Sequence, residues 1–211
     1  MPGFDHMKTG INQRIVSVLC MAVITVMALP GHVLPVEDPL LSEWSDFSGK
    51  PECLKLMDWL RCQVRERLTG ILCKDRFDAV MPRYFGQLGM FVTLKKGKNV
   101  RGCYGAFSHS VTDVKSLFSD YLTGALTRDP RYKPLDVSEL VSTRIIITIT
   151  SQPFPVNDPG SLDLDHYGIV LQCGDRVSIY VPAEIKNNNY IEKIMQGGSC
   201  QVSAFKAVTL Q

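Results

Sequence analysis

The sequence predicts an α+β fold with antiparallel pairing, and three observations carry that reading. Gly89–Ser108 and Gly168–Val181 each read as a β-hairpin, the first around a lysine-rich turn and the second around Gly174-Asp175. Two other stretches carry apolar residues at three- and four-residue intervals, as amphipathic helices do. The strongest strand, Thr143–Thr150, stands among them without regular βαβ alternation. At 211 residues, 45% of them hydrophobic, the chain can bury one good core or two small lobes sharing one. Its net charge of +2 is too small to indicate a nucleic-acid or membrane-surface partner. There is no internal repeat or low-complexity run to separate modules.

In chain order, Lys8 and Arg14 precede an apolar stretch, Ile15 to Leu29, that ends at Pro30-Gly31. This is the pattern of a signal peptide, assigned to residues 1–28. At ~1.5 Å per residue the stretch spans about 22 Å, short of the ~30 Å membrane core, which favours a cleaved segment over a permanent anchor. The expected location is therefore periplasmic or extracellular if the segment is a signal, and cytoplasmic otherwise. Residues 29–49, with Pro30, Pro35, Pro39 and Gly49, read as a linker to a domain over 50–211. A first helix is expected from Pro51 to about Cys73, with Leu54, Met57, Leu60, Val64, Leu68, Ile71 and Leu72 as its buried stripe and Arg61, Arg65 and Arg67 on its solvated back.

Residues 74–88 form a loop into the first hairpin, whose tip, Lys95-Lys96-Gly97-Lys98, reads as a soluble turn. Ser110-x-x-Asp113 resembles a capping box and opens a second helix striped by Val111, Val114, Leu117, Phe118, Tyr121, Leu122 and Ala125, ended by Pro130. A short helix is expected around Val137–Leu140. In the strand that follows, Ile145, Ile147 and Ile149 face the core, with Thr148 and Thr150 on a wetter side. Pro153 and Pro155 stop it. After the second hairpin, a short helix at Tyr190–Met195, a Gly197-Gly198 turn and a strand over Cys200–Leu210 complete the chain.

Removal of the signal would leave six cysteines: Cys53, Cys62, Cys73, Cys103, Cys173 and Cys200. None has a Cys-x-x-Cys or Cys-x-x-His spacing, which argues against zinc. An even count in an oxidising compartment permits disulfides. Cys53, Cys62 and Cys73, at separations of 9 and 11 along one expected helix, are too far apart axially to bridge, and most of the six are expected to be small buried hydrophobes.

The chemistry concentrates on the return strand of the first hairpin. Arg101, Cys103 and Gly105 share one face by strand alternation, and a guanidinium two residues from a thiol favours its thiolate. Two glycines within a strand, Gly102 and Gly105, mark a bulge or a close approach and suggest access. Asp129 and Arg131 read either as catalytic groups or as an ion pair pinning a turn. His109 and His166 are the bases that could serve Cys103, but only through tertiary folding.

Val100-Arg101-Gly102-Cys103-Tyr104-Gly105 resembles the Leu-Arg-Gly-Cys-Ile-Gly signature of the AMMECR domain family, also called AmmeMemoRadiSam system protein A. Gly89–Lys96, Asp129–Leu135 and Tyr180-Val181-Pro182 agree with three further family stretches in the same order. Tyr104 stands where the family has Ile, and the acidic residue that follows the Tyr-Leu-Pro stretch is displaced by one position, to Glu184. The resemblance implies two α+β lobes with the signature at a cleft between them. It makes Cys103 and Arg101 candidate catalytic residues and Gly102, Tyr104, Gly105, Asp129 and Arg131 candidate ligand-binding residues.

Two functions follow. One is a component of a modification pathway, using the cleft cysteine on a small molecule or modified group beside a Memo-type protein and a radical S-adenosylmethionine protein. The other is a non-catalytic module that binds an anionic ligand or a protein partner. The sequence names no cofactor.

Overall fold

A computed structural model describes residues 38–211 apart from 75, 84–87, 112, 186–189, 191–192 and 194–199. All of them belong to one compact unit, Glu37–Gln211. The expected signal peptide, most of the expected helix at 190–195 and the Gly197-Gly198 turn lie outside the described residues.

The expected linker contains a helix, α1 (Pro39–Ser48). Asp38 caps it by accepting from the Leu40 N–H at 3.0 Å, and Pro39 supplies a preset φ in the first turn. Its spacing places Leu41, Trp44 and Phe47 in the core, each worth roughly 1.5–3 kcal/mol of burial, so the segment is part of the domain. The next helix, α2 (Pro51–Thr69), ends earlier than its apolar stripe suggests. Gly70 adopts a left-handed conformation, φ 73°, and its N–H caps the Glu66 carbonyl. Cys53, Leu56, Met57, Leu60 and Val64 form the buried face, while Leu54, Ile71 and Leu72 are exposed.

That early stop also overturns the cysteine expectation. Beyond Gly70 the chain doubles back and Cys73 forms a disulfide with Cys62. A second disulfide joins Cys173 to Cys200, leaving Cys53 and Cys103 free among the described residues.

The strands are β1 (Gly89–Lys96), β2 (Asn99–Ala106), β3 (Thr143–Thr150), β4 (Phe154–Pro155), β5 (Tyr167–Cys173), β6 (Arg176–Tyr180) and β7 (Gln201–Leu210). They make one curled antiparallel sheet in the order β2-β1-β3-β7-β5-β6, with β4 also on β7. The long strand β7 pairs with β3 through its last residues and with β5 through its first, so the two lobes share it. Among the described residues β2 and β6 stand at the two ends of this order.

One face of the sheet carries Met90, Val92, Leu94, Ile145, Ile147 and Ile149 against the helices. The third helix, α3 (Val114–Thr127), lies on this face and is capped by Asp113 rather than Ser110. The other face is not wet. Phe91, Phe205, Ala207 and Val181 cluster there with Cys103 and Ile179, and Thr148 and Thr150 are fully buried. Among the described residues their hydroxyls find no hydrogen-bond partner.

Candidate functional site

Cys103 sits on β2 opposite Thr93, on the same face as Phe91 and Gly105. Its N–H points away from β1 and donates to Asp129 Oδ2 at 2.8 Å. Asp129 lies beyond the end of α3, where Pro130 prevents the helix from continuing. Its carboxylate also accepts from the Arg131 backbone N–H and from Arg131 Nε and Nη2, each at 3.0 Å. Arg131 Nη2 reaches onward to Glu184 Oε1 at 3.1 Å, and Glu184 Oε2 accepts the Val181 N–H at 3.4 Å. A polar chain therefore runs from one sheet edge, at Cys103, to the end of the other, at Val181.

Asp129, Arg131 and Glu184 do not share their charge evenly. The side chains of Asp129 and Glu184 are 4% and 5% exposed, that of Arg131 45%. Burial pushes the Asp129 carboxyl up, but the Arg131 and Cys103 hydrogen bonds outweigh it and hold the group below the usual range. For Glu184 burial wins over Arg131, and its pKa is raised. Desolvation, with the nearby Glu184 charge, pushes the Cys103 thiol up to about 12 despite the Thr93 hydroxyl, which donates to its sulfur at 3.3 Å. At neutral pH the thiol is protonated.

This corrects the expectation of an Arg101-activated thiolate. In the β1–β2 ladder Lys95 faces Val100 and Leu94 faces Gly102, so Arg101 is the extra residue of a bulge and the strict alternation with Cys103 fails there. Its guanidinium instead pairs with Glu139, in the 3₁₀ turn Val137–Ser142, through Nε at 2.9 Å and Nη2 at 2.8 Å. The cation near the thiol is Arg131.

Gly102 is not an access point either. A Cβ there would fall 2.0 Å from the Ala125 carbonyl oxygen, so this glycine lets β2 approach α3. Gly105 is crowded by Met90 and Phe91 of β1, yet it also lines the cleft. His109 is not a base for Cys103: its Nδ1 meets the Tyr121 hydroxyl at 2.5 Å and its Nε2 the Leu88 carbonyl at 3.1 Å. His166 pairs with Asp163 at the surface.

The structure thus brings Cys103, Tyr104, Gly105, Asp129 and Arg131 to one cleft of about 320 Å³ and leaves Arg101 and Gly102 outside it. Its opposite wall is β6, Val177–Tyr180. Three groups escaped the sequence reading as site residues: Glu184, Tyr180 and Arg128, whose guanidinium lies 4.5 Å above the Tyr104 ring. Tyr104 can take that position because Gly124 leaves room for its ring on α3. The acidic residue displaced to Glu184 was the one signal in the sequence for that carboxylate. Beyond Arg131 and Glu184 lies a second cavity of about 260 Å³, flanked by Lys95, Lys98 and Tyr132. Among the described residues no three His, Cys, Asp or Glu side chains are placed to hold a metal ion.

Comparison with known proteins places this geometry in context. The sequence profile of the AMMECR1 family matches residues 58–207. A protein of Methanococcoides burtonii is 32% identical over 117 residues, covering 52% of this chain and 58% of that relative. A protein of Thermotoga maritima is 34% identical over 95 residues, covering 44% and 55% respectively. The chain thus spans little more than half the length of these relatives. The solved structure of an uncharacterised protein from Pyrococcus horikoshii aligns with a TM-score of 0.55 at 17% identity, over 79% of this chain and 90% of that one, which shows a shared fold.

Proposed function

The chain belongs to the AMMECR1 family, and from that premise we propose that it is a non-catalytic binding module whose cleft recognises a ligand bearing an anionic group. One observation carries this reading: the cleft thiol is held protonated, with a pKa of about 12, beside a cation already engaged by two carboxylates. A nucleophilic cysteine needs a nearby uncompensated positive charge or base, whereas the cation beside the partly exposed Cys103 thiol, Arg131, is already engaged by Asp129 and Glu184. What the cleft offers instead is recognition: aromatic walls, the Arg128 guanidinium, one remaining edge of Arg131 and fixed backbone groups.

The competing reading, a cysteine acting on a small molecule or modified group, requires a thiolate, and its Memo-type and radical S-adenosylmethionine partners rest on the family resemblance alone. The two separate by mass spectrometry of whatever the purified protein releases on denaturation. A binding module keeps its ligand in Cys103→Ser and loses it in Arg128→Gln. Loss in folded Cys103→Ser, with retention in Arg128→Gln, would reverse the assignment.

We also propose that the mature chain works in an oxidising compartment. Disulfides Cys62–Cys73 and Cys173–Cys200 support this. No helix among the described residues is long and apolar enough to cross a membrane.

A further inference from the structure

Resting on the binding reading above, we propose that the occupant of the cleft is an extended, acidic peptide segment of a partner protein, added as a strand to the edge of β6 that no described strand covers. The phase of the backbone hydrogen bonds points there. In the β5–β6 hairpin Cys173 and Arg176 close the two-residue turn and form a hydrogen-bonded pair. Bonded and non-bonded pairs then alternate, so Ser178 and Tyr180 bond inward to β5 while Val177 and Ile179 turn their N–H and C=O groups outward.

A second feature fixes the same phase. The β5–β7 ladder, which ends at Gln172 opposite Gln201, would next place Cys173 opposite Cys200. Those residues are 4.4 Å apart at Cα, the spacing of a non-bonded pair. Cys173 therefore directs its groups toward β6 and not toward β7, as the hairpin requires.

Among the described residues β6 ends the sheet, and its outward side faces the cleft. The opposite wall is complementary. Cys103 directs its N–H into the cleft, onto Asp129, so Gly105, two residues on, shares that outward phase. Between the edges, Val177 is 57% exposed and adjoins Ile179 on the same face, a vacant apolar position for every second side chain of an added strand.

Charge selects among extended peptides. The acids around Arg131 are buried and already paired, whereas Asp120, the acid paired with Arg128 among the described residues, is 55% exposed. The cleft mouth therefore offers Arg128 to an incoming carboxylate, stacked on Tyr104 and presented without a buried counter-charge.

The test is selection of ten-residue peptides from a random display library on the full chain, followed by fluorescence polarisation with the selected sequences. The selected peptides should carry a Glu or Asp among alternating apolar residues. N-methylation scanned along the best peptide should abolish binding at every second position, because only alternate N–H groups face β6. Val177→Pro deletes an outward N–H while sparing the β5 ladder and should weaken binding at least tenfold, and Arg128→Gln should remove the preference for the acid. An N-methyl scan without the two-residue period, or full-strength binding by folded Val177→Pro, overturns the inference. So does a small anion released from the cleft with no peptide selected, an outcome that leaves the binding-module reading standing. Rapid alkylation of native Cys103, by contrast, would sink that reading itself.

Discussion

Cys103 shows how far a residue's chemistry depends on neighbours the sequence does not place beside it. Strand alternation puts Arg101 on its face, but a bulge removes Arg101 and Glu139, 38 positions further on, captures it. The thiol meets instead Arg131 and Glu184, brought in by a post-helix loop and by the turn after β6. What was legible was the Asp129–Arg131 pair, since residues two apart at a proline-terminated helix end can bond each other. Their coupling to Cys103 and Glu184 was not, because it depends on how the sheet curls. Removing Arg131 would leave two buried carboxylates without their cation, so Arg131→Ala should cost roughly 2–4 kcal/mol at neutral pH. The Asp129 pKa is depressed in the folded protein, so its contribution is present above the unfolded value of ~3.9 and is lost as pH falls through the folded value. Urea midpoints of wild type and Arg131→Ala should therefore converge in acid. A constant gap from pH 7 to 3 would show that Arg131 acts through packing.

The elements were legible where apolar periodicity and turn residues mark them, and less so where prolines and acids surround a helical stripe. The hairpins, β3 and α3 follow from periodicity and turn residues. α1 was missed because Pro39 and the acids around it read as linker, although Pro at a first helical position is favourable and Leu41, Trp44 and Phe47 recur at helical spacing. The wet face expected for Thr148 and Thr150 failed because the sheet curls over a second cluster on that side. Gly102 likewise reads as access in the sequence and as contact in the structure. Gly102→Ala should push α3 off β2 and cost roughly 1–3 kcal/mol by denaturant melt. A substitution that leaves stability unchanged would mean that α3 does not sit as close to β2 as the structure shows.

At the scale of the whole molecule, one sheet curls so that the strands at the two ends of its described order, β2 and β6, face a single cleft, and the Asp129–Arg131–Glu184 chain bridges them. Family and fold class were legible in four short stretches in the right order; the shared strand β7 and both disulfide pairings were not, since each joins segments whose approach only the fold determines. If the apolar segment 15–29 is a cleaved signal, intact mass should show a chain beginning near Leu29 and lighter by the two hydrogens of each disulfide. A soluble cytosolic protein retaining residues 1–28 would contradict that. The claim that the cleft recognises rather than reacts is tested most directly by the alkylation rate of Cys103 against pH, followed by peptide mapping after brief iodoacetamide exposure. A free thiol titrates near ~8.5, whereas Cys103 is held near 12, so native labelling at neutral pH should be at least about a hundredfold slower than in denatured protein, with no inflection until strongly alkaline pH. Labelling of native Cys103 at neutral pH as fast as in the denatured chain would contradict the account.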